Sequence, residues 1–186
     1  MSILFSLLLF AGCGAPSVDN AGAVKGDGGN AAPVAQQVVK GVDVPSFNAD
    51  SAYNFVATQV AFGPRVPNSG AHKACGDYLE AKLTSYGADV VNQYADITAY
   101  NGDVLKARNI IAQFQPQKSE RILLCAHWDS RPWADSDPDP SKRYTPIDGA
   151  NDGGSGVGAL LEIARQLSIQ PTELGVDIIL DRKSVV

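Results

Sequence analysis

Two short segments place acids and a histidine where they can do chemistry together. CAHWDS (125–130) puts His127 and Asp129 two residues apart, and GANDGGSG (149–156) puts Asp152 directly before two glycines. Residues two apart on a strand point to the same face, so Asp129 can hold the His127 ring in one tautomer. Imidazole with carboxylate suits zinc, whereas carboxylates alone suit magnesium or calcium. The alternative is purely structural, with Asp152 as a helix cap and His127 as a hydrogen-bonded core or surface residue.

The elements around these segments predict that the side chains meet. RILLCAHWD is an apolar run that predicts a buried central strand, and GVDIIL predicts another. Between them, GSGVGALLEIARQL predicts a helix whose inner face is Val157, Leu160, Leu161, Ala164 and Leu167. Strand, helix and strand in this order indicate an α/β crossover, and ligands bind at the carboxyl ends of such strands. His127, Asp129, Asp152 and Asp181 are therefore expected at one rim, as a metal site.

Upstream, two helices and a hairpin are predicted. The first helix is capped by Asn48 or Asp50 and ends at Gly63-Pro64, and the second ends at Gly87. Two strand-like runs follow, and Asn101-Gly102 between them is a hairpin signal. The inner faces are expected to be Tyr53, Val56, Val60 and Ala61 in the first helix, and Cys75, Leu79 and Leu83 in the second.

The composition limits the classes of function. The chain has 186 residues, a net charge of -5 and 45% hydrophobic residues, which fits one domain plus a tail. No basic run is present, so no nucleic-acid partner is expected. GANDGGSG lacks the Gly-Lys-Ser/Thr of a phosphate loop. The acidic loop at 135–148 has proline where a calcium loop needs glycine and glutamate. We interpret 131–147 as a loop over the rim, with Trp133 lining a pocket or simply packed.

The N-terminus predicts export. Residues 1–12 have the apolar run of a signal peptide, although no Lys or Arg precedes it. The small residues before Cys13 resemble a bacterial lipobox, so Cys13 is expected to be lipidated. An ordinary signal peptide or a buried strand is the alternative. Residues 13–44 predict a flexible linker and 45–186 the folded domain. Cys75 and Cys125 are expected as two buried thiols, with a disulfide as the alternative.

The longest motifs resemble one family. CAHWDSRPWADSDPDP, TPIDGANDGGSGVGALLEIARQL and FGPRVPNSGAHKACGDYLEAKL are similar to the bacterial glutaminyl-peptide cyclotransferases of the animal type. These are relatives of the zinc-dependent aminopeptidases. The resemblance covers about Phe47 to Asp181. It implies an α/β fold with a mixed, mostly parallel twisted sheet and helices on both faces, as in zinc exopeptidases.

The resemblance also implies the chemistry. The expected reaction converts an N-terminal Gln of peptides or proteins to pyroglutamate and releases ammonia. Asp152 matches a zinc ligand, His127 lies at or beside the metal, and Asp129 matches the catalytic residue that orients His127. A zinc aminopeptidase is the first alternative. A non-catalytic surface lipoprotein, held at the membrane by its lipid anchor in the periplasm or at the cell surface, is the second.

The sequence departs from the family after the last strand. Lys183 stands where the resemblance implies a proton-shuttling glutamate, and Ser184 where it implies a metal carboxylate. A later acid and a histidine ligand are not found in the sequence. We therefore expect a C-terminally truncated domain with little or no activity by itself, because a stable zinc site needs three protein ligands.

Overall fold

Residues 44–183 are described by a computed structural model. Three helices and four strands follow one another in this part of the chain: α1 (Ala49–Ala61), α2 (Gly70–Ser85), β1 (Asp89–Thr98), β2 (Val104–Phe114), β3 (Arg121–His127), α3 (Ser155–Ile169) and β4 (Gly175–Asp181). The strands form one sheet in the order β1-β2-β4-β3. The expected signal peptide, Cys13 and the linker up to Asp43 lie outside the described residues. No helix within residues 44–183 is long and apolar enough to cross a membrane.

The sheet is mixed, which confirms the α/β prediction. β1 pairs with β2 and β2 with β4 in antiparallel fashion, whereas β3 and β4 are parallel and joined through α3. Parallel pairing is therefore not the majority among these four strands, unlike the sequence-based expectation. The hairpin explains the difference, because Asn101-Gly102 with Gly102 at φ +89° turns β2 directly back along β1.

The position of β3 corrects the prediction of a buried central strand. β3 lies at the edge of the sheet formed by the described residues, whereas β2 and β4 are the strands with neighbours on both sides. Ile122 and Leu123 are 45% and 58% exposed. Cys125 is also exposed, so only Cys75 is the expected buried thiol, and the two are not bonded to each other. An apolar run thus indicated a strand without telling how many strands flank it.

The core lies on one face of the sheet. Alternate residues of β2 and β4 are buried there, including Ile110, Ala112, Ile178 and Leu180. Opposite them pack the inner faces of the helices: Phe55 of α1; Cys75, Leu79 and Leu83 of α2; Val157, Leu160, Leu161 and Ala164 of α3. In the described residues all three helices contribute to this single core, whereas the sequence-based expectation placed helices on both faces.

Local signals set the helix ends, but one helix face was mispredicted. The Asn48 side chain accepts a hydrogen bond from the Ser51 N–H, as an N-cap does. Gly87 follows α2 with φ +85°, a conformation that glycine adopts without strain. In α1 the buried residues are Phe55 and Gln59, while Tyr53 is 73% exposed. α1 packs on α3, and that contact, rather than the apolar pattern alone, selects its buried face.

Candidate functional site

His127 and Asp152 meet at the carboxyl end of β3. His127 is the last residue of β3 and lies opposite Asp181, the last residue of β4. Asp152 lies in the turn Ala150–Gly154 that leads into α3. The His127 Nε2 atom is 3.1 Å from Asp152 Oδ1. The rim expected from the crossover topology is therefore present, and it brings these two side chains into contact.

Glycines allow the turn to approach the histidine this closely. Gly153 has φ +95°, and a Cβ there would lie 2.8 Å from Cε1 and 2.9 Å from Nδ1 of His127. Gly149 has φ +61°, and its Cβ would lie 2.9 Å from the Asp152 carbonyl oxygen and from the Ser130 Cβ. Any side chain at either position would push the loop away from β3. The glycines around Asp152 are thus needed to place its carboxylate beside His127.

The Asp129 side chain holds the segment after β4 in place through a hydrogen bond. It is 2% exposed, and its Oδ1 accepts the Lys183 backbone N–H at 2.7 Å. The His127 Nδ1 atom lies 3.2 Å from the Asp129 carbonyl oxygen and 3.5 Å from its Oδ1. Burial raises the pKa of the Asp129 carboxyl, against the lowering effect of the Lys183 N–H. Asp129 therefore contacts the His127 ring mainly through its backbone, and its carboxylate anchors residue 183.

Lys183 places a positive charge on Asp152. The Lys183 Nζ atom is 2.6 Å from Oδ1 and 2.7 Å from Oδ2 of Asp152. Arg131 adds a second cation, with its Nε 3.6 Å from Oδ2. The hydrogen bond from Lys183 lowers the pKa of the Asp152 carboxyl below its ordinary value. Asp152 is therefore an ionised carboxylate whose two oxygens both bind an internal ammonium group.

Arg65 is a structural residue of the site that sequence reasoning missed. It is fully buried, and its guanidinium donates to the backbone carbonyls of Trp128, Asp148, Gly149 and Gln59. Its own carbonyl accepts the Ser130 N–H. Burial lowers the pKa of Arg65. Arg65 thus joins the loop after β3 to the loop before Asp152; the only sequence signal was an arginine between two prolines, in GPRVP.

Trp133 lines a cavity next to this rim. The cavity has a volume of about 320 Å³ and lies between the β1–β2 hairpin and the loop after β3. Lys183 and Arg131, which both contact Asp152, also line it. The pocket position suggested for Trp133 from the sequence is therefore consistent with where the side chain lies.

The described residues do not fit a zinc ion as they are arranged. The 3.1 Å between His127 Nε2 and Asp152 Oδ1 is close to the roughly 3.3 Å that two tetrahedral ligands about 2 Å from one zinc would have. However, both Asp152 oxygens bind the Lys183 ammonium group. No group of three or more His, Cys, Asp or Glu side chains suited to a metal occurs within residues 44–183. The spacing suits a metal, but the charge and the number of donors do not.

Comparisons with known proteins define the class of the domain. Residues 109–181 match Peptidase family M28. A Zn-dependent exopeptidase from Parabacteroides distasonis is 63% identical, with a TM-score of 0.74 over 76% of this chain and 50% of that one. A leucine aminopeptidase precursor from Bacteroides thetaiotaomicron is 59% identical, with a TM-score of 0.74 over 77% and 51%. The described domain has the zinc exopeptidase-like fold.

Within that class, the similarity extends to glutaminyl cyclases. The glutaminyl cyclase of Bacteroides thetaiotaomicron is 62% identical, with a TM-score of 0.73 over 74% of this chain and 47% of that one. The resemblance to bacterial glutaminyl cyclases is therefore confirmed. Among curated proteins, uncharacterized protein YfbL of Escherichia coli is 38% identical over 103 residues, 55% of this chain and 29% of the relative. The chain spans about half the length of these solved structures and under a third of that curated relative.

Proposed function

We propose that the whole protein represented by this chain is a glutaminyl-peptide cyclotransferase. It would convert an N-terminal Gln of peptides or proteins to pyroglutamate and release ammonia. The observation that carries the proposal is the 62% identity to a solved glutaminyl cyclase over 74% of the chain. The family match at residues 109–181 includes the His127–Asp152 rim. Fold alone would not support it, since one fold serves many reactions.

The reaction defines what the rim has to do. The α-amine of the N-terminal Gln attacks the carbon of its own side-chain amide, the bond from that carbon to the amide nitrogen breaks, and the amine proton leaves with ammonia. Because both groups belong to one residue, the entropic part of catalysis is to hold that residue in the conformation that brings its amine onto its amide carbon. Among the described side chains, Asp152 and His127 are the pair in contact at this rim. Asp129 and Arg65 act as positioning residues by holding the segments that carry them.

The similar proteins are the reason for proposing zinc as the cofactor. One neighbour is described as a Zn-dependent exopeptidase, and zinc as a Lewis acid polarises carbonyl groups. In this chain Asp152 and His127 are the residues we assign as metal ligands. Lys183 would have to leave Asp152 before a metal could use that carboxylate.

Export and a lipid anchor at Cys13 remain part of the proposal. They rest on the apolar run of residues 1–12 and on the small residues before Cys13. A linker at 13–44 would then separate the catalytic domain from the membrane, in the periplasm or at the cell surface. Labelling of cells with a fatty-acid analogue tests this, because Cys13→Ser should abolish the label if Cys13 is lipidated.

A zinc aminopeptidase is the second candidate. The specific observation in its favour is the 59% identity to a leucine aminopeptidase precursor, nearly the same as to the cyclase. Such an enzyme would release the first residue as a free amino acid. The two candidates therefore differ in the product formed from one and the same peptide.

One assay separates the candidates. The whole protein is incubated with a peptide that begins with Gln and with the same peptide beginning with Leu, and the products are followed by mass spectrometry. We expect ammonia loss from the Gln peptide, no change in the Leu peptide, and loss of activity in Asp152→Asn. Release of free Gln and Leu would replace the cyclase with the aminopeptidase. Inactivity on both peptides would favour a non-catalytic lipoprotein.

A further inference from the structure

Another cavity lies at the opposite end of the sheet from the rim. It has a volume of about 220 Å³ and is found where β2 ends, between the last turn of α3 and the residues that follow α2. Phe114, the last residue of β2, pairs with Val176 near the start of β4, whereas His127 of the rim pairs with Asp181 at the end of β4. The length of β4 between these two levels is about 17 Å, at about 3.3 Å per residue. The cavity is therefore separate from the rim and from the pocket beside Trp133.

The walls of this cavity are mainly apolar. Tyr86 follows α2, Phe114 ends β2, and Leu167 lies in the last turn of α3. Pro171, from the loop between α3 and β4, also lines the cavity. An apolar cavity of roughly 150 Å³ is large enough to bind benzene, so this cavity has room for an aromatic ring.

The lining also contains a buried polar atom that is not used within the part of the chain that the structure describes. The Oε1 atom of Gln115 is buried and accepts no hydrogen bond there. The two aliphatic hydroxyl groups in the lining do have partners, since Ser168 donates to the Arg165 carbonyl and Thr172 to the Leu174 carbonyl. Buried polar groups nearly always have a hydrogen-bond partner. A buried acceptor beside apolar walls therefore indicates a ligand that brings an N–H or O–H donor.

The backbone of Gln115 is held in a conformation that glutamine rarely adopts. Its φ of +50° lies in the left-handed region, where few residues other than glycine and asparagine are found. Arg121 stabilises this turn, because its Nη1 donates to the Gln115 carbonyl at 2.7 Å and its Nη2 to the Phe114 carbonyl at 3.2 Å. Asp177 in turn accepts from Arg121 Nε at 2.8 Å and from Nη2 at 2.6 Å. Strained residues that are held by their surroundings concentrate at ligand sites.

We propose that this cavity is a further ligand site, which takes a ring-sized apolar compound that carries one N–H or O–H donor. The ring lies against Phe114 and Pro171, and the donor binds Gln115 Oε1. A ligand with acceptors only, such as a carboxylate or a phosphate, would leave Oε1 without a partner. The site is independent of the proposed function, because neither His127 nor Asp152 lines the cavity.

Indole and benzothiophene test the hydrogen bond. The two compounds have nearly the same shape, but only indole carries an N–H donor. Both are titrated into the ¹⁵N-labelled full chain, and the affinity is taken from the backbone amide signal of Gly87, which lines the cavity. We expect indole to bind roughly fivefold more tightly than benzothiophene, the effect of one hydrogen bond. Equal affinities, no shift of Gly87, or shifts only at Gly153 of the rim would each overturn the proposal.

Two matched variants identify the acceptor. Gln115→Met removes the amide and keeps the length of the side chain, so the preference for indole should disappear while benzothiophene still binds. Gln117→Met, at an exposed position two residues further on, should keep the preference. If Gln115→Met does not fold, Gln115→Asn takes its place, because asparagine adopts the left-handed conformation readily and its shorter side chain withdraws the acceptor. A preference for indole that survives at position 115 would contradict the assigned hydrogen bond.

A comparison with the whole protein distinguishes a free ligand from a protein side chain. The chain covers 47% of a solved relative, and a tryptophan or tyrosine from the rest of the whole protein would offer the same ring and donor. We expect indole to bind the whole protein as tightly as it binds this chain. Binding to the 186-residue chain that is lost in the whole protein would mean that the cavity is filled from within, and would overturn the proposal of a free ligand.

Discussion

Arg65 and Lys183 are two cations beside the same pair of loops, and they bind in opposite ways. Arg65 is fully buried and donates only to backbone carbonyls, among them those of Trp128 and Gly149. Lys183 has a side chain 31% exposed and donates to one carboxylate, that of Asp152. The first interaction holds backbone segments in place, and the second decides which charge Asp152 faces. The geometry and the charge of the rim are thus set by different residues. Substitutions of these residues should therefore change one property without the other.

Removal of Arg65 should have the largest effect on stability. Arg65→Ala removes a donor from four backbone carbonyls, of which that of Gly149 keeps the Gly154 N–H, and each buried carbonyl left with no donor costs roughly 1–3 kcal/mol. We expect the free energy of unfolding to fall by at least about 3 kcal/mol, as measured by urea denaturation. Arg65→Lys keeps the charge but offers a single nitrogen, so it should recover only part of the loss. Unchanged stability in Arg65→Ala would contradict the assigned role.

Gly153 should show a smaller effect that reaches the rim directly. In Gly153→Ala the added Cβ meets the His127 ring and the residue keeps a φ of +95°, so we expect a loss of about 1–3 kcal/mol. Gly102→Ala is the matched control, because Gly102 has φ +89° but nothing within 4 Å of an added Cβ. NMR signals of His127 should move in the first variant and not in the second. Equal losses in both would show that φ alone is responsible.

Substitution of Lys183 should change metal binding more than folding. Lys183→Glu removes the ammonium group from Asp152 and adds a third donor near His127, so we expect zinc to bind at least tenfold more tightly than to the wild-type chain in calorimetric titrations. Lys142→Glu, on an exposed 3₁₀ turn, controls for the change in net charge. Asp152→Asn added to Lys183→Glu should abolish the gain. Equally tight stoichiometric zinc binding by the wild-type chain would contradict this account.

The smallest expected effect is a pH dependence of stability. Lys183 lowers the pKa of Asp152 in the folded protein, so this ion pair contributes stability above the ordinary Asp pKa of 3.8 and loses it as pH falls through the lowered value. Lys183→Ala should therefore have a lower free energy of unfolding than the wild type near about pH 7. The difference between the two proteins should become smaller near about pH 3. Urea midpoints at both pH values measure it. A difference in stability that grows as the pH falls would contradict this prediction.

Much of the site could be predicted from the sequence, because turns, helix starts and strands depend on residues that are close together in the chain. GANDGGSG predicted an acid on a glycine turn before a helix, and the apolar run ending in His127 predicted a strand that delivers the imidazole to the same rim. The edge position of β3 did not follow, since a strand's own residues do not report how many strands flank it. The exposed Tyr53 and the buried Gln59 of α1 were missed because α3 selects the face that α1 buries.

The sequence by itself determined the elements, the hairpin and the acids of the rim, since helix caps, turn glycines and apolar periodicity act between residues close in the chain. Only the tertiary structure decided that Arg65 binds carbonyls of loops more than 60 residues further along the chain, and that the Lys183 ammonium group binds both oxygens of Asp152. It also decided that the hairpin and Trp133 enclose a cavity beside them. These features depend on which distant segments pack together, and side-chain hydrogen bonds across such distances leave no periodic signal in the sequence.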